Sequence, residues 1–526
     1  MQIERSTEWK EGFSKRLEDL ETWDNWTLYK MSYDITKTSL ITEFKGLQSL
    51  KYLPHVTPLA HQLEAAERVI EEMNGKAILA DEVGLGKTIE AGLILKEYLI
   101  RGLVKKALIL VPASLANQWV EELHLKFHIP ALLYRKNYEL DHVDVVVMSL
   151  DTAKRSPHRE KIYAQDYDLI IVDEAHKLKN HKTVSYTFVQ SLKKKFCLLL
   201  TATPIQNDVF ELFYLVTLLK QGHLGNYETF SSVFSKGRRD AEQDEYLKEL
   251  VSQVMVRNRR QDTGIEWTNR KVQVMPIEFS TEERTAYQML SGLKDQHSLF
   301  SDAFTMITLQ REMCSSGQAT IGTLSKLHAE CGNLEAAASI KKLILLLERL
   351  PDHSKAQKAA ELILKADDKV ILFTEYRATQ NYLHEYFYSK GISSVIFNGK
   401  MSKNSREWAK HLFKQNAQVL IATESGAEGI NLQFCHHVIN YDLPWNPMKV
   451  EQRIGRVHRL GQEHDVQIYN LAIQDTIEDH MLHVLEGKIG VFEKVVGELD
   501  DILAAKLKEG TYVSAADSRV SPSIFQ

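Results

Sequence analysis

From residue 76 onward, short apolar runs alternate with polar loops and with longer segments whose apolar residues recur at helical spacing. Runs at 77–80, 107–111, 143–148, 169–172 and 197–200 have the length and unbroken apolar character of strands buried in a parallel sheet. The helix-period segments between them supply the crossovers that such a sheet requires. A second series at 370–373, 395–397, 419–422, 438–440 and 466–471 repeats the pattern. The pattern predicts an α/β chain with two lobes, each a parallel sheet with crossover helices, plus helical insertions. Residues 205–350 are mostly amphipathic and helical, broken by an alternating segment at 272–279 that is expected to open the second lobe. The expected layout is an N-terminal accessory segment at 1–54 and a first lobe at 55–269, with a helical insertion at about 205–265. A second lobe at 270–495, with an insertion at about 282–350, and a C-terminal tail at 496–526 complete it.

Composition narrows the class without naming it. The 526 residues exceed one ordinary core, and 44% hydrophobic with 26% charged residues is the balance of a folded globular chain. No apolar run approaches the ~20 residues of a membrane-spanning helix, and the charged start MQIERSTEWKEGF lacks the apolar stretch of a secretion signal. A cytoplasmic protein without a membrane partner is the expectation. Cys197, Cys314, Cys331 and Cys435 are scattered, so reduced thiols are expected rather than a zinc or redox pair. A net charge of -5 gives no general attraction to nucleic acid, and any such site must be a local patch.

The chemistry is carried by segments that follow the apolar runs. After 77–80 comes Asp81-Glu82-Val83-Gly84-Leu85-Gly86-Lys87-Thr88, then a helical segment. Glycines there let backbone N–H groups close around phosphates. Lys87 can reach the β- and γ-phosphates, Thr88 can ligate Mg²⁺, and the helix start favours an anion. Asp81 stands where a strict P-loop has glycine. After 169–172 comes Asp173-Glu174-Ala175-His176, two carboxylates at the carboxyl end of a strand, where open α/β sheets bind ligands. Asp173 suits a Mg²⁺ ligand and Glu174 the orientation of an attacking water. Further on, Gln452, Arg456 and Arg459 stand at i, i+4 and i+7, which on a helix is one face. Arginine forks there can meet the charge that develops on a transferred phosphoryl group.

Together these segments resemble the motifs of the Swi/Snf family within helicase superfamily two. Asp81–Thr88, Asp173–His176 and Thr201-Ala202-Thr203-Pro204-Ile205-Gln206-Asn207 are similar to its motifs I, II and III, and Gln452–Gln462 to its motif VI. Asp81–Gly92 is most similar to the bacterial branch that includes the RNA-polymerase recycling factor RapA. The resemblance spans about residues 58–477 and implies two RecA-like lobes sharing one ATP site, with ATP and Mg²⁺ as cofactors. Asp81, Gly84, Leu85, Gly86, Lys87, Thr88 and Gln452 are the implied ATP contacts. Gln62 matches the adenine-reading glutamine, with a surface position as the alternative. Lys87, Asp173, Glu174, Arg456 and Arg459 are the implied catalytic set, and Thr88 and Asp173 the metal ligands.

Pro112, Ser114, Thr201, Thr203, Thr374, Thr423, Gly426 and Gly429 resemble positions of DNA contact or coupling. The residues alone leave simpler roles open. Trp119 can be core, Thr201 and Thr203 can cap the following helix, and Gly426 and Gly429 can only shape a turn. The basic clusters 193–195, 236–239 and 257–260 can be solvated faces or phosphate contacts. The implied activity is ATP-driven translocation on double-stranded DNA that displaces bound proteins, RNA polymerase being one such obstacle. A strand-separating helicase and an ATPase-inactive scaffold are the alternatives.

Overall fold

The computed structural model describes residues 15, 26–39, 46–135, 138–205, 208–234, 241–296, 300, 302–350, 352–427 and 430–495. The expected tail at 496–526, Trp9 and Trp23 lie outside them. The chain forms two units, 1–47 and 48–526. In the first, Trp26–Ser39 is a helix whose exposed Trp26, Tyr29 and Tyr33 stack in succession.

The second unit is built on two parallel sheets. Strands β1 (Lys76–Leu79), β2 (Ala107–Val111), β3 (Ala131–Leu133), β4 (Val145–Ser149), β5 (Leu169–Asp173), β6 (Phe196–Leu200) and β7 (Met255–Val256) make the first. Their order is β3-β4-β2-β5-β6-β1-β7. The central strands are covered on both faces, which is why β2 reads as the unbroken run ALILV, buried throughout. Strands β3 and β7 escape the sequence pattern, being only 3 and 2 residues long.

The second sheet contains β8 (Arg270–Ile277), β9 (Val370–Thr374), β10 (Ser394–Phe397), β11 (Val419–Thr423), β12 (His437–Asn440) and β13 (Val466–Ile473), ordered β10-β11-β9-β12-β13-β8. Val370, Leu372, Val419 and Ile421 face one core, and Ile371, Phe373, Leu420 and Ala422 face the other. This is the period-two alternation of strands buried on both sides. Strand β8 lies at the edge and pairs in parallel with β13 from Arg270↔Val466 to Ile277↔Ile473. Its half-exposed position explains the alternating sequence that distinguishes it from its neighbours. Between β8 and β9, the helices Thr281–Gln296, Ala303–Ser315, Gly317–Glu330 and Leu334–Glu348 pack Leu290, Leu309, Leu324 and Ile340 into the core that also holds Leu372.

Parallel pairing puts every strand's carboxyl end on one rim of its sheet. In the first sheet β5, β6 and β1 are consecutive neighbours, so the loops after them meet. Among the described residues no helix is long and apolar enough to cross a membrane, and the four cysteines are unpaired.

Candidate nucleotide site between the lobes

Strand β1 ends in a tight turn that leads into the helix Lys87–Ile100. Gly84 (φ +97°) and Gly86 (φ +94°) occupy left-handed backbone conformations that glycine adopts without strain. A Cβ at Gly86 would also lie 2.5 Å from Gln62 Nε2. Gln62 is therefore not a surface residue. Its amide nitrogen donates to Leu85 O at 2.8 Å and its carbonyl accepts from Leu59 N at 3.0 Å, which props the turn from behind. The structure does not bring its side chain to the cavity lining. Asp81 is buried, and its carboxylate accepts from the backbone N–H of Asn258 at 2.8 Å and from the Asn258 amide at 3.1 Å. The residue that breaks the strict P-loop pattern thus fastens the loop to the segment after β7. Lys87 Nζ donates to Asp81 O at 2.6 Å and to Glu82 O at 3.1 Å. Burial lowers the Lys87 pKa, against the pull of Asp81, Glu90, Glu174 and Asp173.

Asp173 ends β5 facing this turn. Its Oδ2 accepts from Trp119 Nε1 at 2.8 Å and its Oδ1 from Glu174 N at 2.8 Å. Glu174 has φ +52°, an unusual conformation for a side-chain-bearing residue that costs about 1–3 kcal/mol and recurs at functional sites. The two carboxylates are driven apart electrostatically. Desolvation and the Glu174 charge raise Asp173. For Glu174, desolvation is outweighed by His176, whose Nδ1 is 3.2 Å away, and by the Arg456 and Lys87 cations, so its carboxylate is held low.

From the second lobe comes the helix Pro447–Ile454, started by Asn446 Oδ1, which accepts from Met448 N at 3.0 Å, and by proline in its first turn. The regular helix ends at Ile454, and Arg456 and Arg459 lie in the turns beyond it, where Gly455 N still donates to Glu451 O at 2.8 Å and His458 N to Ile454 O at 2.9 Å. Gly455 sits against the first lobe, where a Cβ would come 2.3 Å from Val83 Cγ1. Nevertheless Gln452, Arg456 and Arg459 line the same cavity as Gly84, Gly86, Lys87, Thr88, Asp173 and Glu174. Arg459 Nε donates to Gly455 O at 2.8 Å, and burial with the Arg456 charge brings its guanidinium down to about 10, still a cation at neutral pH.

The expected DNA-contact residues are dispersed. Ser114 is exposed in the turn before the helix Ala116–Leu125, next to buried Pro112. Thr201 and Thr203 are buried after β6, with Thr203 N donating to Thr201 Oγ1 at 3.0 Å. They do not cap the next helix, Val209–Leu219, because Asp208 does. Thr374 is buried and donates to Asp442 Oδ2 at 2.6 Å, so its hydroxyl serves the interior of the second lobe. Thr423 is also buried. Gly426 is required by packing, since a Cβ there would lie 2.6 Å from Asn398 Cα. Gly429 and the cluster 236–239 lie outside the described residues. Of the cluster 193–195, Lys193 is exposed beside Asp166. The cluster 257–260 is neither a solvated face nor an open patch: Arg260 is 2% exposed and Arg259 makes a two-pronged pair with Asp262 at 2.7 and 3.0 Å. Trp119, which resembles part of a DNA-contacting motif with core packing as the alternative, is instead a buried donor to Asp173 that also lines the cavity. Its place after β2 was the one available signal.

Two parallel-sheet lobes facing each other across one cavity, with lysine and acids from one and arginines from the other, define an ATP-hydrolysing, helicase-like enzyme. The comparisons with known proteins give the same class. The SNF2-related domain matches residues 61–335 and the helicase conserved C-terminal domain residues 354–461. The chain is 57% identical over 498 residues to the uncharacterized ATP-dependent helicase YqhH of Bacillus subtilis (strain 168), covering 94% of this chain and 89% of that protein. It is 28% identical over 474 residues to the RNA polymerase-associated protein RapA of Pseudomonas aeruginosa (strain LESB58), covering 83% of this chain and 49% of that relative. A solved SWI2/SNF2 ATPase core of Sulfolobus solfataricus in complex with dsDNA aligns with a TM-score of 0.41 at 22% identity, over 84% of this chain and 93% of that one. The chain belongs to the SNF2 family.

Proposed function

We propose that this protein couples ATP hydrolysis to movement along double-stranded DNA and thereby displaces or remodels proteins bound to it. The observation that carries the reading is the shared cavity, which is lined by residues of both lobes. Lys87 and the backbone N–H groups of Gly84–Thr88 hold the phosphates. Glu174, kept ionised, orients the attacking water, and Arg456 and Arg459 approach the γ-phosphoryl group from the second lobe. The donor set fits Mg²⁺: the Thr88 hydroxyl and the Asp173 carboxylate are hard oxygens on the same wall, and Asp173 carries two N–H donors that fix its plane. Bound there, Mg²⁺ would offset phosphate charge. The fingers and the P-loop lie on different lobes, so hydrolysis and lobe movement are one event.

Family membership and the motif III and VI sequences support duplex DNA as the track. Ser114 and the N–H groups that open the helix after it are the exposed candidates for a phosphate contact. The RapA relative is named for its association with RNA polymerase. A DNA-bound polymerase is accordingly one obstacle this motor would meet. The test is ATPase turnover with duplex DNA, single strands or RNA, together with triplex displacement. Turnover stimulated by duplex and falling with salt, and third-strand release that needs ATP and is lost in Lys87→Ala, are expected. Efficient unwinding of a forked duplex would replace this reading with that of a strand-separating helicase, and stimulation by RNA alone would refute it.

A further inference from the structure

The segment that joins the two sheets carries an arginine that reaches both. Arg260 is among the largest fully buried side chains, at 2% exposed. On the first-lobe side its backbone N–H donates to Glu82 Oε2 at 3.0 Å and its Nη2 donates to Val83 O. Glu82 and Val83 are the residues just before Gly84. On the second-lobe side both terminal nitrogens of the fork lie 3.4 Å from Glu451 Oε1. Glu451 immediately precedes Gln452. It also receives Arg270, the first residue of β8, at 2.6 and 2.9 Å. Burial would raise the Glu451 carboxylate, but the Arg270 and Arg260 cations hold it down to about 2, so it is an anion throughout the working range.

Neither Arg260 nor Glu451 lines the cavity. They touch the two peptide segments that do, at the point where Gly455 meets Val83. A planar fork can serve one carbonyl and one carboxylate with fixed geometry, which a lysine cannot. We propose that Arg260 is a positioning residue for ATP hydrolysis, which holds the Glu82–Val83 turn and the Glu451 helix in register so that Arg456 meets the phosphoryl group correctly. This rests on the cavity being the ATP site. Arg260 acts through Arg456, so its loss degrades the chemical step more than nucleotide binding, since misplacement of a catalytic group by about 1 Å can cost 10²-fold.

The experiment uses the full chain and compares Arg260→Ala, Arg260→Lys, Arg456→Ala and the double variant Arg260→Ala/Arg456→Ala. Steady-state turnover is measured with and without duplex DNA, and a fluorescent ADP analogue counts competent sites, so that misfolded material is subtracted. We expect kcat per competent site to fall at least about tenfold in Arg260→Ala while KM for ATP moves by less than about threefold. Arg260→Lys, which keeps the charge but not the fork, should fall in between. The double variant should be no slower than Arg456→Ala alone, because a residue acting through another adds nothing once that partner is gone. A normal kcat per site in Arg260→Ala, or losses that multiply in the double variant, would overturn the proposal. If Arg260→Ala does not fold, Arg260→Lys and Glu451→Gln are read by the same criteria. Wild-type turnover in both Lys87→Ala and Arg456→Ala would instead remove the ATP-site reading, and the role of Arg260 with it.

Discussion

Replacing Trp119 by phenylalanine isolates one hydrogen bond at the proposed metal-facing carboxylate. The indole Nε1 donates to Asp173 Oδ2 at 2.8 Å from a side chain that is 2% exposed. A hydrogen bond to a charged partner contributes about 1.5–3 kcal/mol. If that energy fixes the Asp173 plane for its ligand, its loss corresponds to about 10- to 100-fold in affinity or rate. Trp119→Phe should therefore weaken the apparent Mg²⁺ affinity, or lower kcat/KM at limiting Mg²⁺, by about that range. The smaller ring also leaves a void that costs stability, roughly 1–2 kcal/mol. The two effects separate when Mg²⁺ titrations of ATPase activity are run well below a Tm measured on the same sample. A folded Trp119→Phe with unchanged Mg²⁺ half-saturation and unchanged kcat would refute the reasoning and return Trp119 to the core.

Three further outcomes are expected. Glu174→Gln should keep nucleotide affinity and lose hydrolysis, as read by binding titration beside turnover, because the amide preserves shape but not the carboxylate proposed to orient water. Gly426→Ala should destabilise the second lobe by about 1–3 kcal/mol, since the new methyl would meet the Asn398 backbone rather than a movable side chain, and an unchanged thermal unfolding curve would contradict this. Glu312 is 8% exposed, with Oε1 receiving Thr323 Oγ1 at 2.9 Å, and burial raises its pKa to about 7. Its folded form holds the proton more tightly than the unfolded chain does, so it subtracts stability as pH rises from the ordinary carboxylate range to about 7. Glu312→Gln should remove that decline, gaining on the order of 2 kcal/mol at pH 8 relative to pH 5, and an equal change at both pH values would show that the carboxyl does not titrate there.

How much was legible in sequence follows from the range of the forces involved. Buried parallel strands announce themselves as apolar runs, so both sheets could be read. The stubs Ala131–Leu133 and Met255–Val256 are too short to carry a period. Lys87, Asp173, Glu174, Gln452, Arg456 and Arg459 could be grouped because each follows a recognisable strand or motif, and the cavity does bring them together. The regular helix ends at Ile454, yet Gln452, Arg456 and Arg459 still line one cavity, while the close approach of Gly455 to Val83 has no local pattern, because it joins residues of different lobes. Arg257 and Arg260 were unreadable for the same reason, unlike Arg259, whose partner Asp262 is three residues away. Their partners Glu82 and Glu451 lie 178 and 191 residues from Arg260, and without them a buried fork and a solvated charge run look alike. Thr374 shows the converse error. Its place in a segment that resembles a family motif suggests a DNA contact until Asp442 is seen beside it.

The passage from β7 to β8 is short: Val256 belongs to the first sheet, Arg270 to the second, and only residues 257–269 lie between. Even a flexible link of that size keeps two surfaces at an effective concentration of about the millimolar range, and this one is held further by the bonds of Asn258 to Asp81 and of Arg260 to Glu82. Arg456 and Arg459 would thus never be diluted away from the P-loop if the lobes parted in the proposed cycle. Reclosure becomes a first-order process whose rate is independent of protein concentration. If Arg456 and Arg459 act as proposed, turnover per molecule should stay constant on dilution.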